Sequence, residues 1–171
     1  VVSGTQGVTP DNGFDPLEYI ISASKKNNIS VHAWINPYRV CKADELDSLS
    51  DKNPAVVHPE YTVLCSDGNV YYNPALEKVR KLITDGVVEI LKKYDVDGIH
   101  FDDYFYPTTD ESFDKTYYSE YKSSGGNLKL AAWRRQNVNT LIKEVYSAIK
   151  AIDSSCKFGV SPAGNTEQNY N

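Results

Sequence analysis

The chain has 171 residues, of which 40% are hydrophobic and 24% charged, as in an ordinary globular domain. No stretch approaches the roughly 18 to 20 consecutive apolar residues of a membrane-spanning helix, so the sequence predicts no membrane span. Eighteen Lys and Arg residues oppose 23 Asp and Glu residues, for a net charge of −5. This acidic balance argues against a protein that binds nucleic acid through bulk positive charge.

Three segments have apolar residues at helical spacing, and two of them begin with a helix start signal. Asp15-Pro16 predicts a capped helix that runs from about residue 16 to 26 and ends at Asn27-Asn28. Asn73-Pro74 repeats this start signal, and the apolar spacing after it predicts a helix over residues 74–93. A third apolar stripe predicts a helix over residues 128–151.

Three shorter segments, 29–36, 96–103 and 157–161, alternate apolar and polar residues as half-buried strands do. Each follows a predicted helix, which favours a parallel sheet built from right-handed crossovers. One face of each strand is apolar. The other face carries His32, Trp34 and Asn36 on the first strand, His100 and Asp102 on the second, and Ser161 on the third.

This alternation favours a (β/α) barrel over a doubly wound sheet, whose central strands tend to be apolar on both faces. In a barrel, apolar residues face the helix ring, and polar inward residues near the carboxyl ends of the strands form the site. Such barrels have eight strands. Since three strands are predicted and the chain contains no methionine, we expect residues 1–171 to be the central segment of one barrel domain, truncated at both ends.

Two long connections, 37–73 and 104–127, follow predicted strands and therefore lie on the face where such barrels place their active sites. Connections of this length are usually functional or disordered, and their many aromatic residues argue against disorder. Aromatic planes suit stacking on sugar rings, although packing within the loops is the simpler interpretation at any single position. Cys41 and Cys65 both lie in the first connection, so a disulfide between them is one alternative. The other is that these two residues and Cys156 are free or buried thiols.

The strongest candidate for chemistry is the pair Asp102-Asp103 at the end of the second strand. Adjacent carboxylates repel, and burial raises the pKa of the more desolvated one, which can then act as an acid. The alternative is that either residue caps a loop or pairs with Arg39. Four roles are open for His32. It is a buried core histidine, a donor to a substrate hydroxyl, a residue that holds Asp102 in position, or a metal ligand.

Residues 32–39 (HAWINPYR) and 97–107 (DGIHFDDYFYP) resemble the signature blocks of glycosyl hydrolase-like family 10. Shorter blocks at 4–7, 58–60, 72–74, 133–137 and 157–162 extend the resemblance over nearly the whole chain. It implies a (β/α)8 barrel whose third to fifth strands are those predicted here. It also implies a bacterial, extracytoplasmic glycoside hydrolase, often anchored to the cell surface, that acts on cell-wall glycan without a cofactor.

Carried over by position, the resemblance makes Asp102 and Asp103 the expected acidic centre. The residues expected to bind the polysaccharide are His32, Trp34, Asn36, Tyr38, Arg39, His100, Tyr104, Tyr106, Ser161 and Asn165. After Ser161-Pro162 this chain has Ala163-Gly164-Asn165 where a bulky aromatic residue is expected, and this departure leaves the shape of the sugar subsite open.

Glycoside hydrolysis generally requires two carboxyl groups, about 5 to 5.5 Å apart for retention or 6.5 to 9.5 Å for inversion. Adjacent Asp102 and Asp103 point to opposite faces of a strand, so they are not expected to form that pair by themselves. The partner is Glu111, Glu120 or Glu167, or a carboxylate on a later strand outside this chain, which we prefer.

Two further functions stay open at this point. One is a metal-dependent carbohydrate hydrolase or deacetylase that uses His32, His100, Asp102 and Asp103 around one ion. The other is a glycan-binding barrel without catalysis. Because three strands leave the edges of a sheet unpaired, we also expect the isolated chain to self-associate.

Overall fold

The structure is a computed structural model that describes residues 13–102 and 105–161. The helices and strands are α1 (Pro16–Lys26), β1 (His32–Ile35), β2 (Arg39–Lys42), α2 (Pro54–Val57), β3 (Thr62–Leu64), β4 (Asn69–Tyr72), α3 (Glu77–Lys93), β5 (Gly98–Phe101), α4 (Lys115–Ser123), α5 (Leu130–Ile152) and β6 (Lys157–Val160). Short 3₁₀ helices lie at Ala43–Ser48, Pro59–Tyr61 and Glu111–Asp114. Within the described residues, no helix is long and apolar enough to cross a bilayer.

Strands β1, β5 and β6 form a parallel sheet with β5 in the centre. His32 lies opposite Gly98, and His100 lies opposite Gly159, so the polar positions of the three strands share one face. The predicted α/β class with a parallel sheet is therefore confirmed. Three strands by themselves do not close into a barrel.

The core lies between the apolar face of this sheet and the helices α3 and α5. Its fully buried members include Ile99 and Phe101 of β5, together with Val79 and Val87 of α3 and Leu141, Val145 and Ile149 of α5. Residues three or four positions apart on a helix share one face, which is why each helix presents a continuous apolar stripe to the strands. Burial of each such side chain contributes about 1.5 to 3 kcal/mol to folding.

The helix boundaries follow from local hydrogen bonds. Asp15 caps α1 as predicted, since its Oδ1 accepts from the backbone N–H of Leu17 at 3.0 Å and of Glu18 at 3.2 Å. Helix α3 begins at Glu77, three residues later than predicted. Its start is delayed because the buried Asn73 side chain accepts from the N–H of Ala75 at 2.9 Å and holds a turn instead.

The first long connection contains a second sheet, which the sequence analysis missed. Strands β2, β4 and β3 are antiparallel, with β4 in the centre. The β3–β4 hairpin turns at Asp67-Gly68, where Gly68 has φ +80° and its N–H donates to the carbonyl of Cys65 at 3.0 Å. An Asp-Gly pair between short β-type runs is a recognised hairpin signal, so the sequence did contain a local indication.

The same sheet explains why Cys41 and Cys65 are free thiols. Cys41 pairs with Val70 on one side of β4, and the N–H of Cys65 donates to Asn69 on the other side. Two strand spacings place the cysteines about 10 Å apart. That distance exceeds the reach of a disulfide, so the open disulfide alternative is not realised here.

Candidate active site

The candidate site is the polar face of the parallel sheet and its carboxyl edge. On β1, Ala33 and Ile35 pack against the core, whereas His32 is exposed and Trp34 is 73% exposed on the opposite face. Asn36, Asp102 and Ser161 follow directly after β1, β5 and β6. Because the strands are parallel, these three residues meet at one edge of the sheet.

Asp102 is held at this edge by Asn36. The Nδ2 of Asn36 donates to Asp102 Oδ2 at 3.3 Å, and Asn36 Oδ1 accepts from the backbone N–H of Arg39 at 3.0 Å. Asn36 thus links the carboxylate to the turn that leads into β2. The other carboxylate oxygen, Asp102 Oδ1, is buried and has no hydrogen-bond partner among the described residues. Since buried acceptors in proteins usually have a hydrogen-bond partner, this oxygen marks Asp102 as a candidate functional group.

Gly98 and Gly159, which have no side chain, leave room for the imidazole rings of His32 and His100. A Cβ on Gly98 would lie 2.7 Å from the imidazole of His32, and a Cβ on Gly159 would lie 2.7 Å from His100 Nδ1. The Nε2 of His100 lies 2.7 Å from Ser161 Oγ. The sequence analysis did not predict these glycine–histidine contacts. The alternation of side chains along a strand nevertheless places each glycine on the polar face.

Tyr38 is placed differently from its prediction as a substrate contact. Its side chain is fully buried in the core, and its hydroxyl has no hydrogen-bond partner among the described residues. Burial raises the pKa of the Tyr38 phenol, which stays neutral. The ring lies in the hydrophobic core and not on the polar face of the sheet, and its contact with a substrate stays a prediction.

Tyr106 has a partner within the protein. Its hydroxyl donates to Asp114 Oδ2, and the guanidinium of Arg134 lies 5.0 Å from the centre of its ring. Burial, followed by this hydrogen bond, raises the pKa of the Tyr106 phenol. The hydroxyl that was expected to contact the polysaccharide is thus engaged by Asp114 in this structure.

The remaining predicted residues fall into two groups. Arg39 is exposed, and within the described ranges it forms no ion pair, so Asn36 rather than Arg39 holds Asp102. Asp103, Tyr104 and Asn165 lie outside the described residues, as does Glu167.

The structure also locates the groups named as second carboxylates and as metal ligands. Glu111 is exposed on a 3₁₀ turn, and Glu120 is exposed on α4. Across residues 13–102 and 105–161, no three His, Cys, Asp or Glu side chains converge on a point that could hold a metal ion. The predicted metal set includes Asp103, so the described residues do not test it completely.

The sequence profile of the family described as glycosyl hydrolase-like 10 matches residues 3–171. The chain belongs to this family. It is 40% identical over 168 residues to glycosyl hydrolase YngK of Bacillus subtilis, covering 95% of this chain and 32% of that protein. It is 36% identical over 174 residues to glycosyl hydrolase DigH of Escherichia coli K12, covering 96% of this chain and 39% of that protein. The chain thus spans about a third of the length of these family members.

Two solved structures share the fold. The α-L-fucosidase isoenzyme 2 of Paenibacillus thiaminolyticus superposes with a TM-score of 0.58 at 18% identity, over 85% of this chain and 22% of that one. The α-galactosidase of Lactobacillus brevis superposes with a TM-score of 0.55 at 12% identity, over 91% of this chain and 20% of that one. At these identities the likeness shows a common α/β fold.

Proposed function

We propose that this chain carries one acidic group of the active site of a bacterial glycoside hydrolase that cleaves cell-wall glycan. The three parallel strands are, in this proposal, consecutive strands of a (β/α)8 barrel. The observation that carries it is Asp102, which lies at the carboxyl end of β5 with one oxygen held by Asn36 and the other buried without a partner among the described residues.

This arrangement suits a catalytic carboxyl group. The hydrogen bond from Asn36 Nδ2 orients the carboxylate through Oδ2, and Oδ1 has no partner among the described residues. In our proposal Oδ1 is the oxygen that faces the reacting atoms. A glycosidase needs one carboxyl group that donates a proton to the leaving oxygen and a second that acts as base or nucleophile. In our proposal Asp102 takes one of these roles, Asp103 lies beside it, and the second carboxylate belongs to another strand of the barrel.

The polar face around Asp102 offers groups that recognise sugars. Trp34 exposes an indole plane on which the apolar face of a sugar ring can lie. The His100–Ser161 pair and the Asn36 amide supply donors and acceptors for sugar hydroxyls. The cell-wall substrate and an extracytoplasmic location are part of the proposal; the family resemblance supports both.

The test uses the full-length protein that contains this chain, incubated with purified peptidoglycan glycan strands with and without stem peptides. Three proteins are compared: the parent, Asp102→Asn, and the control Asp85→Asn, which changes an exposed carboxylate paired with Lys81 on α3. New reducing ends are counted by mass spectrometry. The proposal expects them from the parent and the control, with a loss of at least about a hundredfold for Asp102→Asn.

Other outcomes decide against specific parts of the proposal. Full activity of Asp102→Asn would remove Asp102 from the chemistry. Release that stops when a chelator is added would favour the metal-dependent alternative. Intact strands with all three proteins would refute the cell-wall substrate, and glycan binding that survives in Asp102→Asn would then favour the non-catalytic barrel.

A further inference from the structure

His100 of β5 lies between two other strands on the polar face of the parallel sheet. In the register of the sheet it is opposite Trp34 of β1 and opposite Gly159 of β6. Neighbouring strands are about 4.8 Å apart, so these three positions form one row across the sheet. Asp102 comes two residues after His100 and therefore follows it on the same face, at the carboxyl edge.

The nitrogen-bearing edge of the His100 imidazole faces β6. A Cβ on Gly159 would lie 2.7 Å from Nδ1 and 3.3 Å from Cε1, so this edge of the ring lies directly over the glycine. The Nε2 of the same ring lies 2.7 Å from Ser161 Oγ, which is within the range of a hydrogen bond. Among the described residues, Ser161 supplies the hydrogen bond to this imidazole, and Nδ1 makes none.

Ser161 presents its hydroxyl from a well-defined backbone position. Its N–H donates to the carbonyl of Phe101 at 2.9 Å, so the pairing of β6 with β5 extends to this residue. Pro162 follows in the sequence, and a residue before proline is restricted to extended backbone conformations. The position of Oγ then depends on a single side-chain torsion, which has three staggered minima.

The contact with Ser161 defines two properties of His100. It restricts rotation of the ring, and it determines the role of Nε2 as donor or acceptor, which in neutral imidazole also determines the role of Nδ1. Because Gly159 has no side chain, no side chain of β6 covers Nδ1. Recognition of a hydroxyl by a hydrogen bond requires a partner of defined direction and defined role, and Nδ1 has both.

We propose that Ser161 is a positioning residue for His100, and that Nδ1 of the imidazole held in this way binds a sugar hydroxyl beside Trp34. The proposal rests on the proposed function in so far as the ligand is a glycan. It divides the roles within the His100–Ser161 pair. His100 contacts the sugar, and Ser161 acts through His100 without a contact of its own.

The experiment uses the full-length protein with ¹⁵N-labelled histidine. Ser161→Ala removes the hydroxyl, whereas Ser161→Thr keeps it in a residue that suits an extended backbone. The matched control is Ser119→Ala, which changes an exposed serine of α4 whose Oγ donates to the carbonyl of Lys115 at 2.9 Å. The ring signals of His100, identified by their loss in His100→Ala, report the proton and the hydrogen bond of each nitrogen and need no activity.

The ring signals of His100 should shift in Ser161→Ala. In the same variant, KM for glycan strands should rise about 3- to 10-fold, with kcat changed by less than about twofold. Ser161→Thr should keep the signals and KM close to the parent, and Ser119→Ala should change neither. In a His100→Ala background, Ser161→Ala should add no further change in KM, because its effect passes through the imidazole.

Unchanged His100 signals in Ser161→Ala would overturn the proposal, as would a shift in Ser161→Thr as large as that in Ser161→Ala. A rise in KM that persists in the His100→Ala background would also overturn it, because the hydroxyl would then bind the sugar directly. Ser161 is exposed, so both of its variants are expected to fold. If no protein cleaves glycan, the proposed function fails, and the ring signals still decide whether Ser161 positions His100.

Discussion

The close contact between His100 and Gly159 predicts that a side chain at position 159 lowers the free energy of unfolding. In Gly159→Ala, the new methyl group would lie 2.7 Å from His100 Nδ1, well inside an ordinary contact distance. Gly159 does not have a positive φ, so the backbone itself accepts alanine. The strain therefore falls on the imidazole, which must move by about 1 Å and lengthen its 2.7 Å contact with Ser161 Oγ.

The expected magnitude follows from three contributions to the free energy of unfolding. Overpacking costs about 1 to 3 kcal/mol, and the weakened hydrogen bond costs about 1 kcal/mol. Alanine also reduces the conformational freedom of the unfolded chain, which raises the free energy of unfolding by about 0.4 to 1 kcal/mol. The net expectation is a loss of about 2 kcal/mol, accompanied by a change in the imidazole signals of His100.

Gly86→Ala is the matched control, because Gly86 lies inside α3 and a Cβ there would meet nothing within 4 Å. In a helix interior, alanine stabilises by about 0.5 to 1 kcal/mol relative to glycine. Both variants are compared with the parent by urea unfolding, with the slope of the transition checked for constancy, and by NMR of the histidine rings. A Gly159→Ala variant as stable as Gly86→Ala, with unchanged His100 signals, would refute the reasoning.

Three further expectations concern other parts of the chain. Tyr38→Phe removes a buried hydroxyl without a partner among the described residues, so we expect unchanged or up to about 1 kcal/mol higher stability in urea. A loss of glycan cleavage with intact folding would support the predicted substrate contact. The pKa of Asp15 is lowered from 3.8, chiefly by the hydrogen bond from Tyr94, so its contribution to stability is present above that value and is lost as the pH falls through the folded pKa. Tyr94→Phe should therefore shrink the drop in urea midpoint between about pH 7 and about pH 3, and an equal drop in both proteins would contradict this. Because β1 and β6 are the outer strands of the parallel sheet among the described residues, the 171-residue chain should form dimers or larger species in light scattering. A stable monomer would contradict this expectation.

The main elements of the parallel sheet were predictable because their sequence patterns are long and strictly periodic. The alternation over residues 29–36 predicted that Val31, Ala33 and Ile35 face the core, and the observed burial agrees. The strand itself is shorter than predicted, and Ile29, which lies before it, is 59% exposed. The Asp15-Pro16 start signal located α1 to the residue. Asp102 was also recognised at the carboxyl end of its strand, although its contact with Asn36 was not foreseen.

The features that were missed depend on short or distant relationships. Strands β2, β3 and β4 have only three or four residues each, too few for a period to be recognised. Tyr38 stands between two strands, where the turn geometry decides whether its ring points into the core. Arg134 and Asp114 are 20 positions apart, and only the fold of the connection brings them together.

The antiparallel sheet between β1 and α3 is closed at its base, where the N–H of Tyr72 donates to the carbonyl of Tyr38 at 2.8 Å. Residues 39–71 therefore leave and re-enter the domain at nearly the same point, and their strands pair with one another rather than with the parallel sheet. A segment attached in this way can change in length at small entropic expense. A change of length within residues 39–71 is therefore expected to leave the parallel sheet, and with it the strand that precedes Asp102, in place.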